Sequence, residues 1–133
     1  MDLKRTPHLK EGRQVAAVSR VLNNYVKRNP FIGYVQGFNF VVEFLFRALA
    51  GKEEDTFWLF VAVVEEYMPL DYYSSLVGVL ADVKTFQLML QVSLPLLHRH
   101  FRQAELDISI FLIPWFLCVF TQTRLPPPVL HLV

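Results

Sequence analysis

The feature that most constrains the fold is the recurrence of apolar side chains at three- and four-residue steps along most of the 133-residue chain. This spacing places them on one face of an α-helix. Alternation with a period of two, which is typical of strands, never persists long enough to indicate a sheet. We therefore predict an all-α domain. Its first three helices have as core positions Val15, Val18, Leu22, Tyr25 and Val26, then Phe38, Val41, Val42, Leu45, Phe46 and Leu49, then Phe57, Phe60, Val61, Val64 and Tyr67.

Proline and glycine mark the boundaries of these helices. Asn29-Pro30 ends the first helix, because proline disfavours helical geometry in the residue before it. Gly51 ends the second helix and Met68-Pro69 the third. A fourth helix is predicted over residues 79–92, a fifth from Pro95, and a last one over residues 110–120 that contains Pro114. The inward positions predicted for the fourth helix are Leu80, Val83, Phe86 and Leu90, and the fifth helix carries the apolar residues Leu96, Leu97 and Phe101.

The composition narrows the class of protein. A formal net charge of +1 excludes the basic stripe of a nucleic-acid-binding protein. A hydrophobic content of 53% indicates either a membrane protein or a domain whose apolar faces pack against further chain. The longest apolar run, residues 108–120, is shorter than the roughly 20 residues that a membrane-spanning helix needs. We therefore expect no transmembrane segment and a domain cut at both ends, since apolar residues also continue to Val133.

Several residues that could carry chemistry have a simpler structural interpretation. Cys118 lies in an apolar run, which indicates a buried thiol in a reducing compartment and not a nucleophile. Trp115, Phe116 and Phe120 are interpreted as core residues. The acidic runs at residues 53–55 and 65–66 are interpreted as solvated charges at helix ends, not as a catalytic carboxylate pair. No motif of the phosphate-binding or dinucleotide-binding kind is present, so the chain is not expected to bind nucleotide by itself.

A polar loop bracketed by glycines, Gly33 to Gly37, separates the first two helices. Glycine lets the backbone turn sharply and approach another group closely. The amide of Gln36 can donate and accept hydrogen bonds at once. From spacing alone, the favoured interpretation is a glutamine that satisfies backbone groups of its own loop. Likewise, Arg5 by itself is typical of a solvated charge near a terminus.

Taken together, these segments resemble the TBC domain, the Rab GTPase-activating module. The family motif DxxR matches Asp2 and Arg5, and YxQGxN matches Tyr34 to Asn39. Further matches cover nearly the whole chain: Asn29-Pro30, Asp55 with Phe57-Trp58, Met68 to Tyr73, Leu94 to Leu97, and Trp115 to Leu117 with Phe120. The resemblance implies a multi-helix TBC-like array, of which residues 1–133 form the N-terminal, motif-bearing part.

The resemblance also implies a function. Arg5 and Gln36 would be catalytic residues supplied in trans to a Rab-family small GTPase, with Asp2, Tyr34, Gly37 and Asn39 in support. A guanidinium matches the geometry of phosphate oxygens, and a carboxamide can hold the attacking water. GTP and Mg²⁺ would belong to the partner, so no cofactor or metal of the chain's own is expected. Vesicle trafficking and a cytoplasmic location, peripheral on endomembranes, would follow. The alternative is a catalytically silent Rab-binding or scaffold module.

Overall fold

The computed structural model describes residues 12–122, which form six α-helices. These are α1 (Gly12–Arg28), α2 (Phe38–Ala48), α3 (Glu53–Ala62), α4 (Val77–Ser93), α5 (Pro95–Gln103) and α6 (Ser109–Leu117). No strand occurs within residues 12–122, so the predicted all-α fold is confirmed. Asp2 and Arg5 lie outside the described residues, and the predictions about them stay predictions.

The core is built where α1, α2 and α3 pack on one another. An aromatic cluster lies at its centre, because Phe38 makes edge-to-face contacts with Phe60 and Tyr73 at centroid distances of 5.0 and 4.9 Å. Tyr25 of α1 adds a third such contact, at 4.9 Å from Phe60. Pairs of this geometry stabilise a core beyond their buried area, by roughly 0.5–1.5 kcal/mol each. Phe38 is the first residue of α2, so this cluster also fixes the place where the Gly33–Gly37 loop ends.

The third helix differs from its prediction at its C-terminal end. A continuous α-helix to Met68 is wrong, because Val63–Tyr67 form a π-helical turn. The wider i→i+5 turn changes the angular register of the side chains. Val64 therefore stays buried, whereas Tyr67, predicted as a core position, is 76% exposed. The same turn brings Glu65 to face the end of α1.

The inward face predicted for α4 is only partly buried. Val83 and Leu90 are in the core as predicted, but Leu80 and Phe86 are exposed. No residue of α5 is buried, and Leu96 is 77% exposed. Helical periodicity correctly located both helices. The burial of their apolar faces depends on a packing partner, and among the described residues the most extensive contacts of α4 are with α5 and α6.

The last helix is shorter than predicted. It ends at Leu117, and the chain then turns with positive φ at Val119 and Phe120, 50° and 59°, which an α-helix cannot continue through. Cys118 is fully buried, as its apolar surroundings predicted. Trp115 is 40% exposed, so its assignment to the core is wrong. Phe116, in contrast, packs against the core.

None of the helices in the described part of the chain is by itself long and apolar enough to span a membrane. Only the pair α4 and α5 meets the length and composition requirement together, and these two helices are bent by 114° where they join.

Candidate functional site

The residues between α1 and α2, 29–37, form the Gln36 loop. Its last part is a tight turn in which the Phe38 N–H donates to the Val35 carbonyl at 3.1 Å. Gln36 and Gly37 are the two central residues of this turn. Gly37 has a φ of +109°, a value that side-chain-bearing residues rarely adopt. The prediction that glycine is needed here for backbone conformation is therefore confirmed.

Gln36 differs from its neighbours in exposure. Its side chain is exposed, whereas Gly37, Phe38 and Asn39 are all buried. The backbone on its C-terminal side is thus held in the core while the amide projects from the surface. This arrangement is what a residue that contacts a partner protein requires. Within the structure, no described contact explains Gln36 as a residue that satisfies its own loop.

Tyr34 and Asn39 connect the two sides of the turn. The Tyr34 hydroxyl donates a hydrogen bond to Oδ1 of Asn39 at 3.3 Å. The Tyr34 ring also lies edge-to-face with Phe38, at a centroid distance of 6.4 Å. Asn39 is only 2% exposed, so it anchors the hydroxyl from inside α2. The structure thus brings together four of the six predicted site residues: Tyr34, Gln36, Gly37 and Asn39.

Helix α6 forms a wall beside this turn that the sequence did not predict. A β-carbon on Gly37 would lie 3.4 Å from the carbonyl carbon of Leu117 and 3.5 Å from Cβ of Cys118. The position that a Gly37 side chain would occupy faces the end of α6. The backbone of Gly37 therefore lies close to another part of the same chain.

A cavity of about 260 Å³ opens between the turn and α6. Apolar residues and three amide-bearing residues, Gln36, Asn39 and Gln122, line it together. The residues that line it are Gln36, Gly37, Asn39, Phe40, Ile113, Pro114, Leu117 and Gln122. The residues from α6 and the turn after it could not be predicted from the sequence, because they are 77 to 86 positions away from Gln36 and no local pattern joins them to it.

Glu65 was also missed as a residue of this region. It was predicted to be a solvated charge, but its side chain is largely buried and hydrogen-bonded to Asn29 and Arg28 at the start of the Gln36 loop. Glu53, another predicted surface charge, is ion-paired with Arg20 of α1 through an Nε–Oε2 contact of 2.9 Å. The hydrogen bonds from that guanidinium hold the pKa of Glu53 below its ordinary value. Both acids therefore tie α1 to the segment that follows α2.

Comparison with known families identifies the fold. The Rab-GTPase-TBC domain family matches residues 1–133, the full length of the chain. The chain belongs to the RabGAP-TBC family. The solved TBC-domain structure of a Chlamydomonas flagellar RabGAP superimposes with a TM-score of 0.79 and 32% sequence identity, over 90% of this chain and 40% of that one. The helices described above are thus the helices of a TBC domain.

Among sequences of the RabGAP-TBC family, human TBC1 domain family member 2B is 38% identical over 110 residues, or 82% of this chain. The bovine TBC1 domain family member 2A is 40% identical over 105 residues, or 78% of this chain. The chain spans 11% of the length of each of these relatives. The similarity therefore concerns one segment of each relative, and what the whole relatives do is a separate matter.

Proposed function

We propose that this TBC chain stimulates GTP hydrolysis by a Rab-family small GTPase, with Gln36 supplied in trans to the GTPase active site. The observation that carries the proposal is the exposure of Gln36 in a turn that is followed directly by three buried residues, Gly37 to Asn39. A partner that approaches this surface meets the glutamine amide on a backbone that is already ordered. Preorganised groups of this kind need no reordering when the reaction occurs.

The proposed chemistry follows from what a carboxamide can do. The Gln36 carbonyl oxygen accepts a hydrogen bond from the attacking water, and its NH₂ group donates to an oxygen of the γ-phosphate. Water then displaces GDP from the γ-phosphorus, which gives GDP and inorganic phosphate. Positioning and charge stabilisation supply nearly all of the catalysis in such phosphoryl transfers. The GTP and its Mg²⁺ are held by the partner, and the chain contributes no cofactor of its own.

Arg5 is the second proposed catalytic residue, and Asp2 its proposed support. Both assignments rest on the match of DxxR to the family motif, since the structure does not describe either residue. An arginine supplied in trans contributes roughly 10³ to 10⁵ in turnover where GTPases use one. A cytoplasmic location, peripheral on endomembranes through the Rab partner, and a role in vesicle trafficking are part of the same proposal.

The test is single-turnover GTP hydrolysis by a panel of Rab GTPases in the presence of the full-length protein. Gln36→Ala and Arg5→Lys should each slow the activated rate by about 10²-fold or more while folding is retained. Affinity for the GDP-bound partner should change little, because that state lacks the γ-phosphate. Gln122→Ala is the matched control, since Gln122 lines the same cavity but is not on the turn.

The outcomes separate the proposal from its alternative. If a folded wild type accelerates no Rab GTPase but binds one, the catalytically silent binding module takes its place. If the wild type accelerates a Rab GTPase and Gln36→Ala accelerates it equally, the assignment of Gln36 is wrong.

A further inference from the structure

The start of the Gln36 loop is held by a single side chain that bonds in two directions. Oδ1 of Asn29 accepts a hydrogen bond from the Ile32 N–H at 3.2 Å. Nδ2 of the same residue donates to Oε1 of Glu65 at 3.0 Å. The backbone carbonyl of Asn29 also accepts from the Gly33 N–H at 2.9 Å. Asn29 therefore joins the first half of the loop to the π-helical turn.

Glu65 is in turn held in place by Arg28, the last residue of α1. The Arg28 Nη2 lies 3.3 Å from Oε2 of Glu65, so the two carboxylate oxygens have separate partners. The Arg28 guanidinium also lies over the ring of Trp58, 5.4 Å from its centroid. Hydrogen bonds with a charged member are roughly twice as strong as neutral ones. The partly buried contacts among Arg28, Glu65 and Asn29 thus fix the orientation of the Asn29 amide.

The π-helical turn is what makes this contact available. It places Glu65 at the end of α1 while Val64 remains in the core. A π-turn is rare compared with an α-helical turn, and it often occurs at functional sites. Here the site it serves is the loop that carries Gln36. The other end of that loop is held independently, by the Tyr34–Asn39 hydrogen bond and by the packing of Gly37 on α6.

We propose that Asn29 and Glu65 are positioning residues for Gln36, an inference that rests on the function proposed above. Neither side chain contacts the reacting atoms. They fix the backbone from which the exposed glutamine projects. Catalytic groups have to be held within roughly 0.5 Å of their productive geometry. A misplacement of about 1 Å costs around 10²-fold in rate, and this loss appears in kcat because it affects the transition state and not the docking surface.

The test compares Asn29→Ala, Glu65→Ala and Glu65→Gln with wild type in the full-length protein. Hydrogen exchange at the Ile32 amide and single-turnover hydrolysis by a responsive Rab GTPase are both measured. Asn29→Ala and Glu65→Ala should speed Ile32 exchange by about three- to tenfold, the range expected for one lost hydrogen bond. They should lower kcat by about 10- to 100-fold with KM within about twofold. Glu65→Gln should recover part of both losses, because its amide oxygen still accepts from Asn29 although its NH₂ group cannot accept from Arg28.

Glu53→Ala is the matched control. It removes an ion pair between α1 and α3, Arg20–Glu53, that resembles the Arg28–Glu65 pair but does not touch the loop. It should leave Ile32 exchange and kcat unchanged. The inference is overturned if the wild type is active and Asn29→Ala behaves like this control. A wild type that accelerates no Rab GTPase overturns the proposed function instead, and the positioning role with it.

Discussion

Tyr34 and Asn39 are joined across the turn that presents Gln36, by a hydrogen bond of 3.3 Å from the phenolic hydroxyl to Oδ1 of the buried amide. Five positions separate them, so this bond closes a small ring of chain around the exposed glutamine. One member is fixed in α2 and the other lies in the loop. The hydrogen bond therefore restricts the position of the loop relative to α2.

Tyr34→Phe tests the value of that bond. The ring and its contact with Phe38 remain, so the free energy of unfolding should fall by only about 0.5–1.5 kcal/mol. Rab-stimulated hydrolysis should fall severalfold, because the Gln36 backbone is less well held. Urea denaturation and single-turnover kinetics measure the two effects. Tyr67→Phe is the control, since the Tyr67 side chain is mostly exposed. Equal behaviour of the two variants would show that the Tyr34 hydroxyl positions nothing.

Gly37→Ala tests the backbone requirement at the turn. At a φ of +109° an alanine is strained, so we expect a loss of about 1–2 kcal/mol in the free energy of unfolding. The added methyl group would make ordinary contact with Leu117 and would not clash. Gly12→Ala is the control, because nothing lies within 4 Å of its added β-carbon. A Gly37→Ala variant as stable as wild type would mean that the turn relaxes without cost.

Stability should fall at alkaline pH. Burial raises the pKa of Tyr25 to about 12, and it also raises the pKa values of Tyr72, Tyr73 and the Cys118 thiol. These groups keep their protons in the folded protein at pH values where the unfolded chain releases them. The folded state then binds more protons, so the free energy of unfolding decreases as pH rises. The loss should begin near the unfolded pKa values, 9.0 for the thiol and 10.0 for the phenols.

Urea midpoints measured between about pH 7 and pH 11 check this alkaline loss. Tyr72→Phe removes one of the titrating groups and should flatten the curve. A midpoint that stays constant to pH 11 would contradict the prediction.

The 133-residue chain alone should associate in solution. Large apolar side chains are exposed along α4, α5 and the start of α6, among them Met89, Val92, Leu96 and Ile110. Contiguous exposed apolar surface favours association. Sedimentation velocity at micromolar concentrations should show oligomers, and the double variant Val92→Lys with Leu96→Lys should shift the distribution toward monomer. A monodisperse wild-type monomer at high concentration would contradict the prediction.

The sequence determined the helices, their approximate ends and the residues of the turn. These are local properties: apolar side chains repeat with the helical period, and Pro30, Gly33 and Gly37 set the backbone within a few residues of themselves. The family motif, which is also read from contiguous residues, pointed to Gln36. Cys118 was correctly predicted to be buried because its neighbours along the chain are apolar.

Tertiary structure alone decided which helix faces are covered and what supports the site. The Asn29–Glu65 bond joins residues 36 positions apart, and Glu65 lies in a π-helical turn where an α-helix was predicted. The contact of Gly37 with Leu117 and Cys118 joins residues that are still farther apart in the sequence. Periodicity shows that one face of a helix is apolar, but the burial of that face depends on what packs against it. This is why Leu80 and Phe86 were predicted to face inward and are exposed instead.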